Sequence, residues 1–350
     1  MSDVVRTPPH IFKTKPHLVE KVWGGRKLEE TFGKSLPTEA PFGESWEIAD
    51  LEEGQSVSGS GPLSGVRLRA FSEGWKRQLV GQRAPRADRF PLLVKLLDAR
   101  RDLSVQVHPG PEDALRIKGA SSKDEAWLIL DSDEDGAIIH GLSQNGVSED
   151  EFRMAVEGGV VGELLERVPV KKGDVIRVAP GTIHAICGGV VLLEIQEPSD
   201  TTYRVYDYER PGLDGKPREL HLEEALDVAW LGRSEQIILE AQPSGRGARV
   251  LVDAPSYRVE VLEVDSPCQL GWQIDPDSAQ VLHVLEGRFV VDDGIGGKVE
   301  INAFESAVVP ACMGSVRGEF RGSGAMVISG LAVEELTGGL RIESPAVATP

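Results

Sequence analysis

Four side chains that lie far apart in the sequence have the chemistry of a metal site. Gln106 and His108 share one face of a predicted strand that ends at Pro109, and Glu125 precedes a second apolar strand. With His184 they offer a divalent metal two nitrogens and one or two oxygens. Zinc accepts His and Glu ligands and keeps an open position in catalytic sites, and the same donors also suit non-haem iron. The ligand types therefore predict a metal centre and leave the metal open.

The segment that leads to His184 is the most specific local pattern. Residues 173–184 read Gly-Asp-Val-Ile-Arg-Val-Ala-Pro-Gly-Thr-Ile-His, so a turn glycine starts a short strand and Pro-x-Gly reverses the chain shortly before the histidine. A lone histidine is more often structural than metal-binding. Here a second His, a Glu and a Gln also emerge from strands, which favours the metal site.

Two charged residues interrupt otherwise apolar strands. Lys95 has two apolar residues on each side, and Glu194 lies in the apolar run 190–196, where it shares a face with Gln196. An unpaired buried charge is costly, so each side chain either reaches water with its tip or lines a polar cavity. Two such residues in different strands favour a polar-lined barrel interior.

The elements that must position these residues are mostly strands. Short alternating apolar runs punctuated by 39 Gly and 22 Pro predict a mainly β protein, a sandwich or barrel with a few helices. We predict strands at residues 45–50, 90–97, 103–108, 126–130, 174–179 and 190–196, and in the later region at 257–264, 280–285, 288–291, 307–309 and 325–328. We predict helices at residues 65–79, 148–167 and 218–231, with a capping box from Ser148 to Glu151. Residues 22–46 are predicted to be a loop.

The domain organisation is predicted as two β domains in sequence. A catalytic metal-binding domain is expected at residues 1–240 and a smaller β domain without metal at 250–332, with a tail at 333–350. The run Gln-Pro-Ser-Gly-Arg-Gly at residues 242–247 is typical of a linker.

Composition and charge exclude several classes of protein. A formal net charge of −18 is unlike the basic footprint of a nucleic-acid-binding protein. No apolar run approaches the roughly 20 residues that a transmembrane helix needs. Three scattered cysteines form no CxxC pair and no closed disulfide set, which favours a reducing cytoplasm.

Five motifs together resemble those of a known family. Residues 173–184 are similar to the second motif of the cupin superfamily. Lys-Val-Trp-Gly-Gly at 21–25, residues 89–95, residues 103–109, residues 123–127, and Asp-Thr-Thr-Tyr-Arg-Val-Tyr-Asp-Tyr at 200–208 resemble the short bacterial form of type I mannose-6-phosphate isomerase, also called phosphomannose isomerase. The resemblance covers roughly residues 12–230 and is weak beyond them.

The resemblance implies a zinc-dependent aldose–ketose isomerase on a cupin jelly-roll barrel, with one Zn²⁺ per chain. It implies four metal ligands: Gln106, His108, Glu125 and His184. It implies a substrate pocket lined by Lys95, Lys123, Glu194 and Arg204, of which Arg204 matches the catalytic arginine. The chain departs from the general cupin pattern at Gln106, where a His is usual, and at Gly188, where an Asn is usual.

The implied reaction moves a proton between C2 and C1 of mannose 6-phosphate and fructose 6-phosphate through an enediol. We expect Arg204, Glu194 and Lys123 to take part in catalysis, and Lys95, Lys123 and Arg204 to bind the substrate, with Arg210 as a further cation for the phosphate. Burial would raise the pKa of Glu194 toward that of a useful base, and a histidine or a metal-bound hydroxide are alternatives.

Two other functions are compatible with the donor set: an iron-dependent cupin dioxygenase and a non-catalytic sugar-phosphate-binding cupin. We expect a sugar phosphate as the small-molecule partner, no nucleic acid, no membrane, and a monomer or weak homodimer. His140 is expected to be a strand-end residue and not a ligand, and His221 to be structural or at the surface. Cys187 is expected to be a small buried side chain, with thiolate ligation as the alternative. The region around His283 is expected to bind no metal.

Overall fold

A computed structural model describes residues 2–235, 237–243 and 247–343. Within those residues the chain is mainly β, as predicted. The helices are α1 (Ser2–Arg6), α2 (Lys27–Glu30), α3 (Leu68–Trp75), α4 (Arg77–Val80), α5 (Pro111–Arg116), α6 (Glu149–Glu157) and α7 (Leu222–Val228), with short 3-10 helices at Val161–Leu164 and Ala311–Met313. None of these helices is long and apolar enough to span a membrane.

The strands fall into an earlier and a later group. The earlier strands are β1 (Phe12–Lys15), β2 (His17–Gly25), β3 (Phe42–Ile48), β4 (Val57–Ser58), β5 (Leu93–Ala99), β6 (Val105–Val107), β7 (Glu125–Ser132), β8 (Ala137–Leu142), β9 (Leu165–Pro169), β10 (Val175–Val178), β11 (His184–Ile186), β12 (Val190–Gln196), β13 (Tyr203–Tyr206) and β14 (Ile238–Leu239). The later strands are β15 (Gln242–Pro243), β16 (Ala248–Asp253), β17 (Tyr257–Val264), β18 (Cys268–Gln273), β19 (Gln280–Glu286), β20 (Arg288–Asp292), β21 (Lys298–Asn302), β22 (Ser306–Val309), β23 (Ser315–Phe320), β24 (Gly324–Leu331) and β25 (Gly338–Glu343).

Two compact units make up the fold. The site unit consists of residues 18–45 and 95–239, and the terminal unit consists of the described residues within 1–17, 46–94 and 240–350. This grouping differs from the linear division expected from the sequence, because β1 pairs with β22 through Phe12 opposite Val308 and so belongs with the later strands. Long-range pairing of this kind leaves no local signal in the sequence.

The site unit is built from two antiparallel sheets. One has the strand order β14-β10-β7-β12-β5-β2-β3 and the other has the order β13-β6-β11-β8-β9. Both sheets contribute to one apolar cluster, in which Trp127 and Ile176 from the first sheet pack with Ile138 and Ile186 from the second. The alternate face of the second sheet packs on α6 and α7 through side chains such as Phe152 and Leu226. The helices therefore cover one sheet from outside, and the space between the sheets is the core.

The terminal unit also contains two sheets. Their strand orders are β15-β16-β17-β24-β19-β22-β1-β4 and β21-β20-β23-β18-β25. Their shared core includes Leu282 and Ile328 from the first sheet and Trp272 and Phe289 from the second. Residues 338–343, expected in the tail, form β25 because Leu340 is buried and the backbone pairs with β18. Residues 344–350 of that tail, and 244–246 of the expected linker, lie outside the described residues.

Three predicted helices are shorter than expected. The helix predicted at 148–167 ends at Glu157, where Gly158 and Gly159 follow and Gly159 has φ 70°, and residues 165–169 form β9 instead. The helix predicted at 65–79 is divided at Lys76, which has φ 51°. The one predicted at 218–231 is reduced to α7. The capping box is confirmed, since the Ser148 hydroxyl accepts from the Glu151 amide at 3.2 Å.

The predicted loop at 22–46 was wrong at both ends. Residues up to Gly25 belong to β2, and Phe42 begins β3. A Cβ on Gly24 would lie 2.4 Å from the amide nitrogen of Gly43, and one on Gly43 would lie 2.5 Å from the Trp23 ring. Glycines are frequent in loops, but these two allow two backbones to approach closely within strands.

Candidate metal centre

Two histidines and a glutamate converge between the sheets of the site unit. His108 follows β6 directly, His184 begins β11, and Glu125 begins β7 on the other sheet. His108 Nε2 lies 3.4 Å from Glu125 Oε1, and His184 Nε2 lies 3.7 Å from Glu125 Oε2. One ligand atom from each residue lies within 4.8 Å of the others, and all three residues are buried. Among the described residues, no other group of three or more His, Cys, Asp or Glu side chains converges in this way.

Backbone carbonyls fix the orientation of both imidazoles. His108 Nδ1 donates to the carbonyl of Thr201 at 2.9 Å, and His184 Nδ1 donates to the carbonyl of Thr182 at 2.8 Å. Because a carbonyl only accepts, the proton of each neutral ring sits on Nδ1. Both Nε2 lone pairs therefore point toward Glu125, which is the usual arrangement of metal-binding histidines and their supporting hydrogen bonds.

The electrostatics keep the histidines neutral and the carboxylate charged. Burial lowers the pKa of His184 to about 3, and the neighbouring His108 adds to this effect. Burial and the charge of Lys123 lower the pKa of His108. Burial alone would raise the pKa of Glu125, but Lys123 and the histidines hold it well below its usual value. Neutral imidazoles and an ionised carboxylate are the protonation states that a metal ion requires.

The hydrogen bonding of Glu125 fits a metal ligand. Both of its carboxylate oxygens are buried and accept no well-directed hydrogen bond from a described residue. The Lys123 ammonium lies 2.5 Å from Glu125 Oε1 and 3.1 Å from His108 Nε2. Lys123 is one ionic partner of this carboxylate, and no described residue donates a directed hydrogen bond to either oxygen, so the donor set can hold a divalent metal.

Gln106 lies beside this cluster. It is opposite His184 in the pairing of β6 with β11, and its Nε2 is 3.3 Å from His184 Nε2. Rotating the side-chain amide by a half-turn would place its carbonyl oxygen where Nε2 now lies. Ligation by Gln106 stays a prediction.

Lys95 and Glu194 form a buried ion pair on the interior face of the first sheet. Lys95 Nζ lies 2.9 Å from Glu194 Oε2 and donates to Gln196 Oε1 at 2.8 Å, while Trp127 Nε1 donates to Glu194 Oε1 at 3.1 Å. Burial and the charge of Glu125 raise the pKa of Glu194, and Lys95 opposes that shift. Burial alone would lower the pKa of Lys95, but the carboxylates of Glu194 and Glu44 raise it above its usual value. The polar interior expected from these residues is present.

Arg204 lies on β13 in line with the metal centre. It pairs with Gln106, which in turn pairs with His184, so the three residues form one row across the second sheet. Its Nε donates to Ser104 Oγ at 3.2 Å and its Nη1 donates to the carbonyl of Glu219 at 2.8 Å. Burial and the nearby Arg218 lower the pKa of Arg204.

Several residues near the site had not been identified from the sequence. Glu44 of β3 is buried, lies 3.1 Å from Lys21 Nζ, and contributes to the field at Lys95. It was missed because its strand was interpreted as a loop. Asp207, whose carboxylate binds both Arg210 and Arg218, was missed because an acidic residue in a polar segment carries no signal of burial.

The residues expected to be structural have protein partners. His140 Nδ1 is 2.9 Å from Ser234 Oγ and its Nε2 is 3.1 Å from the carbonyl of Arg177. His221 accepts from the Arg204 amide at 3.3 Å. In the terminal unit, His283 Nδ1 lies 2.8 Å from Ser306 Oγ. Cys187 is buried.

Comparisons with known proteins agree on one family. Residues 11–127 match the family model described as phosphomannose isomerase type I, catalytic domain. The chain is 45% identical over 225 residues to mannose-6-phosphate isomerase ManA of Bacillus subtilis, a match that covers 63% of this chain and 68% of that protein. Among solved structures it is similar to a mannose 6-phosphate isomerase from B. subtilis, with a TM-score of 0.80 and 31% identity over 92% of this chain and 99% of the other.

A more distant structure shares the fold alone. It is described as a zinc-bound mannose 6-phosphate isomerase, with a TM-score of 0.71 and 18% identity over 92% of this chain and 100% of that one.

Proposed function

The chain belongs to the type I mannose-6-phosphate isomerase family, and from that membership we propose that it interconverts mannose 6-phosphate and fructose 6-phosphate through an enediol, with one zinc ion per chain. The observation that carries the proposal is the buried convergence of His108, Glu125 and His184. These three side chains, with Gln106 beside them, would hold the ion. Zinc is proposed because a protein of the same fold is described with zinc bound, and because His and Glu are donors that zinc accepts. When bound, the metal supplies a Lewis acid for the sugar oxygens.

Glu194 is our candidate for the base. It lies on the same interior face as Glu125. Gln196 is directly opposite Glu125 in the pairing of β12 with β7, and Glu194, two residues before Gln196, shares its face. From mannose 6-phosphate to fructose 6-phosphate, its carboxylate accepts the proton from C2 and returns it to C1, while the hydroxyl proton of O2 is transferred to O1. The two transfers together leave no net gain or loss of protons. A carboxylate with a raised pKa suits this transfer, because efficient general bases have pKa values near the working pH. Lys95 holds Glu194 in place through the ion pair and keeps it ionised before the transfer.

Two cations complete the proposed site. The Lys123 ammonium, buried beside Glu125, would stabilise negative charge on the substrate oxygens close to the donors. Arg204 would bind the enediolate or the substrate anion with its fixed fork of donors, because its row position places it next to Gln106. Burial and the nearby Arg218 lower the pKa of Arg204, and an anionic substrate would offset that effect.

The proposal is tested by the isomerase assay after chelation and after zinc is restored. We expect activity to be lost on chelation and recovered with zinc. His184→Ala should lose both bound metal and activity, whereas His140→Ala, a buried histidine one strand away in the same row, should keep its metal. Full activity without metal, or metal-loaded protein without isomerase activity, would contradict the proposal. Oxygen consumption with ferrous iron in the same preparations would support the dioxygenase alternative instead.

A further inference from the structure

The terminal unit presents a patterned polar face away from its core. On the sheet β21-β20-β23-β18-β25, side chains such as Trp272 and Phe320 point into the core, and the alternate positions point outward. Those outward positions surround a cleft of about 380 Å³. Its volume falls in the range of small-molecule sites, about 300–1,000 Å³.

Two parallel rows cross the three strands β23, β18 and β25 at this cleft. In the first row, which we name the arginine row, Gly271 pairs with Arg317 on one side and Arg341 on the other. In the second, which we name the acidic row, Gln269 pairs with Glu319 and Glu343. The rows are two residues apart along each strand, which is about 7 Å.

Gly271 leaves a gap between the two arginines. A Cβ built on it would lie 3.5 Å from the carbonyl oxygen of Val316 and 4.0 Å from Arg317 Cγ, which is ordinary contact distance. The glycine itself carries no side chain, so nothing of residue 271 stands between the two arginine stems. Neighbouring strands are about 4.8 Å apart, so the two arginine stems rise about 10 Å apart. Guanidinium groups on such stems can converge on one tetrahedral oxyanion held over the glycine, each with its paired donors.

The arginines of this row have no close carboxylate partner among the described residues. Neither Arg317 nor Arg341 forms an ion pair with a described residue, although carboxylates lie one row away. Other cations of this region are in ion pairs: Arg321, just after β23, lies 3.1 Å from Glu319, and Arg288 of β20 lies 3.4 Å from Glu300. Lys298, which lies opposite Asp292 in the register of β21 with β20, also lines the cleft.

We propose that this cleft binds a phosphorylated polyol, a phosphate monoester that carries several hydroxyl groups. Its phosphate lies over Gly271 between Arg317 and Arg341, and its hydroxyls donate to the acceptors of the acidic row, Glu319, Gln269 and Glu343. The acidic row repels the phosphate and the arginine row attracts it, so the ligand binds in one orientation, with its phosphate over the arginine row. The site lies in the terminal unit and is separate from the residues of the metal centre.

The proposal is tested by titrating the zinc-loaded full chain, labelled with ¹⁵N-arginine, with inorganic phosphate and with a hexitol phosphate. The readout is the Nε–Hε NMR signals of Arg317 and Arg341, assigned by their loss in the single alanine variants. We expect saturable shifts with both compounds and at least about tenfold tighter binding of the hexitol phosphate, because only that compound reaches the acidic row.

Two variants separate the site from a general charge effect. Arg341→Ala should weaken hexitol phosphate binding at least about tenfold, and Gly271→Leu should do the same by filling the gap while every charge is kept. Arg288→Ala, which removes a paired arginine from the same face, should leave the affinity unchanged. Absence of saturation up to tens of millimolar, equal affinity for the two compounds, or an equal loss in Arg288→Ala would overturn the proposal.

Discussion

Replacing Lys95 by Met tests the buried ion pair beside the metal centre. The change removes the cation 2.9 Å from Glu194 Oε2 and keeps a side chain of similar length. Glu194 is buried, so its charge would then be held mainly by the Trp127 hydrogen bond. Breaking a buried pair from one side typically costs about 3–5 kcal/mol, and we expect a loss in this range near pH 7.5.

The loss should shrink at lower pH. The pKa of Glu194 is already raised in the folded protein, and without Lys95 it rises further above the usual value of 4.5. A carboxyl whose folded pKa exceeds its unfolded pKa adds stability that is fully present below the unfolded pKa and is lost as the pH rises through the folded one. The variant should therefore approach the parent protein in stability as the pH falls from 7.5 toward 5.

Urea unfolding followed by tryptophan fluorescence, at several pH values in that interval and at fixed metal content, measures this effect. Lys27→Met is the matched control, because Lys27 pairs with Asp131 at 2.8 Å where both side chains are partly exposed. It should cost no more than about 1 kcal/mol. A loss in Lys95→Met that equals the control, or that does not change with pH, would refute the reasoning that the pair is buried and that Glu194 takes up the proton.

Three further changes probe the site and the fold. Glu125→Gln should weaken zinc binding at least about a hundredfold, since removing a buried charged partner costs about 3 kcal/mol or more. Competition with a chromogenic chelator measures the zinc affinity, and an unchanged affinity would remove Glu125 from the ligand set. Arg204→Ala should lower kcat by about a hundredfold or more while the metal content stays at parent level, because its guanidinium is proposed to act on the substrate; a parent-like kcat would exclude it from catalysis. Gly43→Ala should destabilise the fold by about 1–3 kcal/mol in thermal unfolding, since its Cβ would meet the Trp23 ring at 2.5 Å. Gly162→Ala is the control: no atom lies within 4 Å of the new Cβ, so stability should change by less than about 0.5 kcal/mol. Equal effects of the two substitutions would contradict the close packing at Gly43.

Much of the site could be predicted because its residues break the pattern of their strands. Lys95 and Glu194 are charged residues in apolar runs, and the structure places them on one interior face in contact with each other. The predicted donors His108, Glu125 and His184 converge, because each stands at a strand end where the chain turns. Gly173 and Pro180, which flank the strand predicted at residues 174–179, predicted such a turn from local chemistry alone.

Other features depend on contacts that no local pattern contains. The carbonyls of Thr201 and Thr182, which orient the two imidazoles, are backbone atoms of residues without any distinguishing chemistry. Glu44 escaped notice because Gly24 and Gly43 resemble turn residues until the close approach of their backbones is visible. The pairing of β1 with β22 joins residues nearly the whole chain apart, so the terminal unit could not be outlined from periodicity.

The most direct test of the metal centre is anomalous diffraction at the zinc edge from crystals of the active enzyme. The account predicts one strong peak per chain, bonded to Nε2 of His108, Nε2 of His184 and the carboxylate of Glu125. A fully active crystal with its peak at another place, or with no peak between these three side chains, would contradict it.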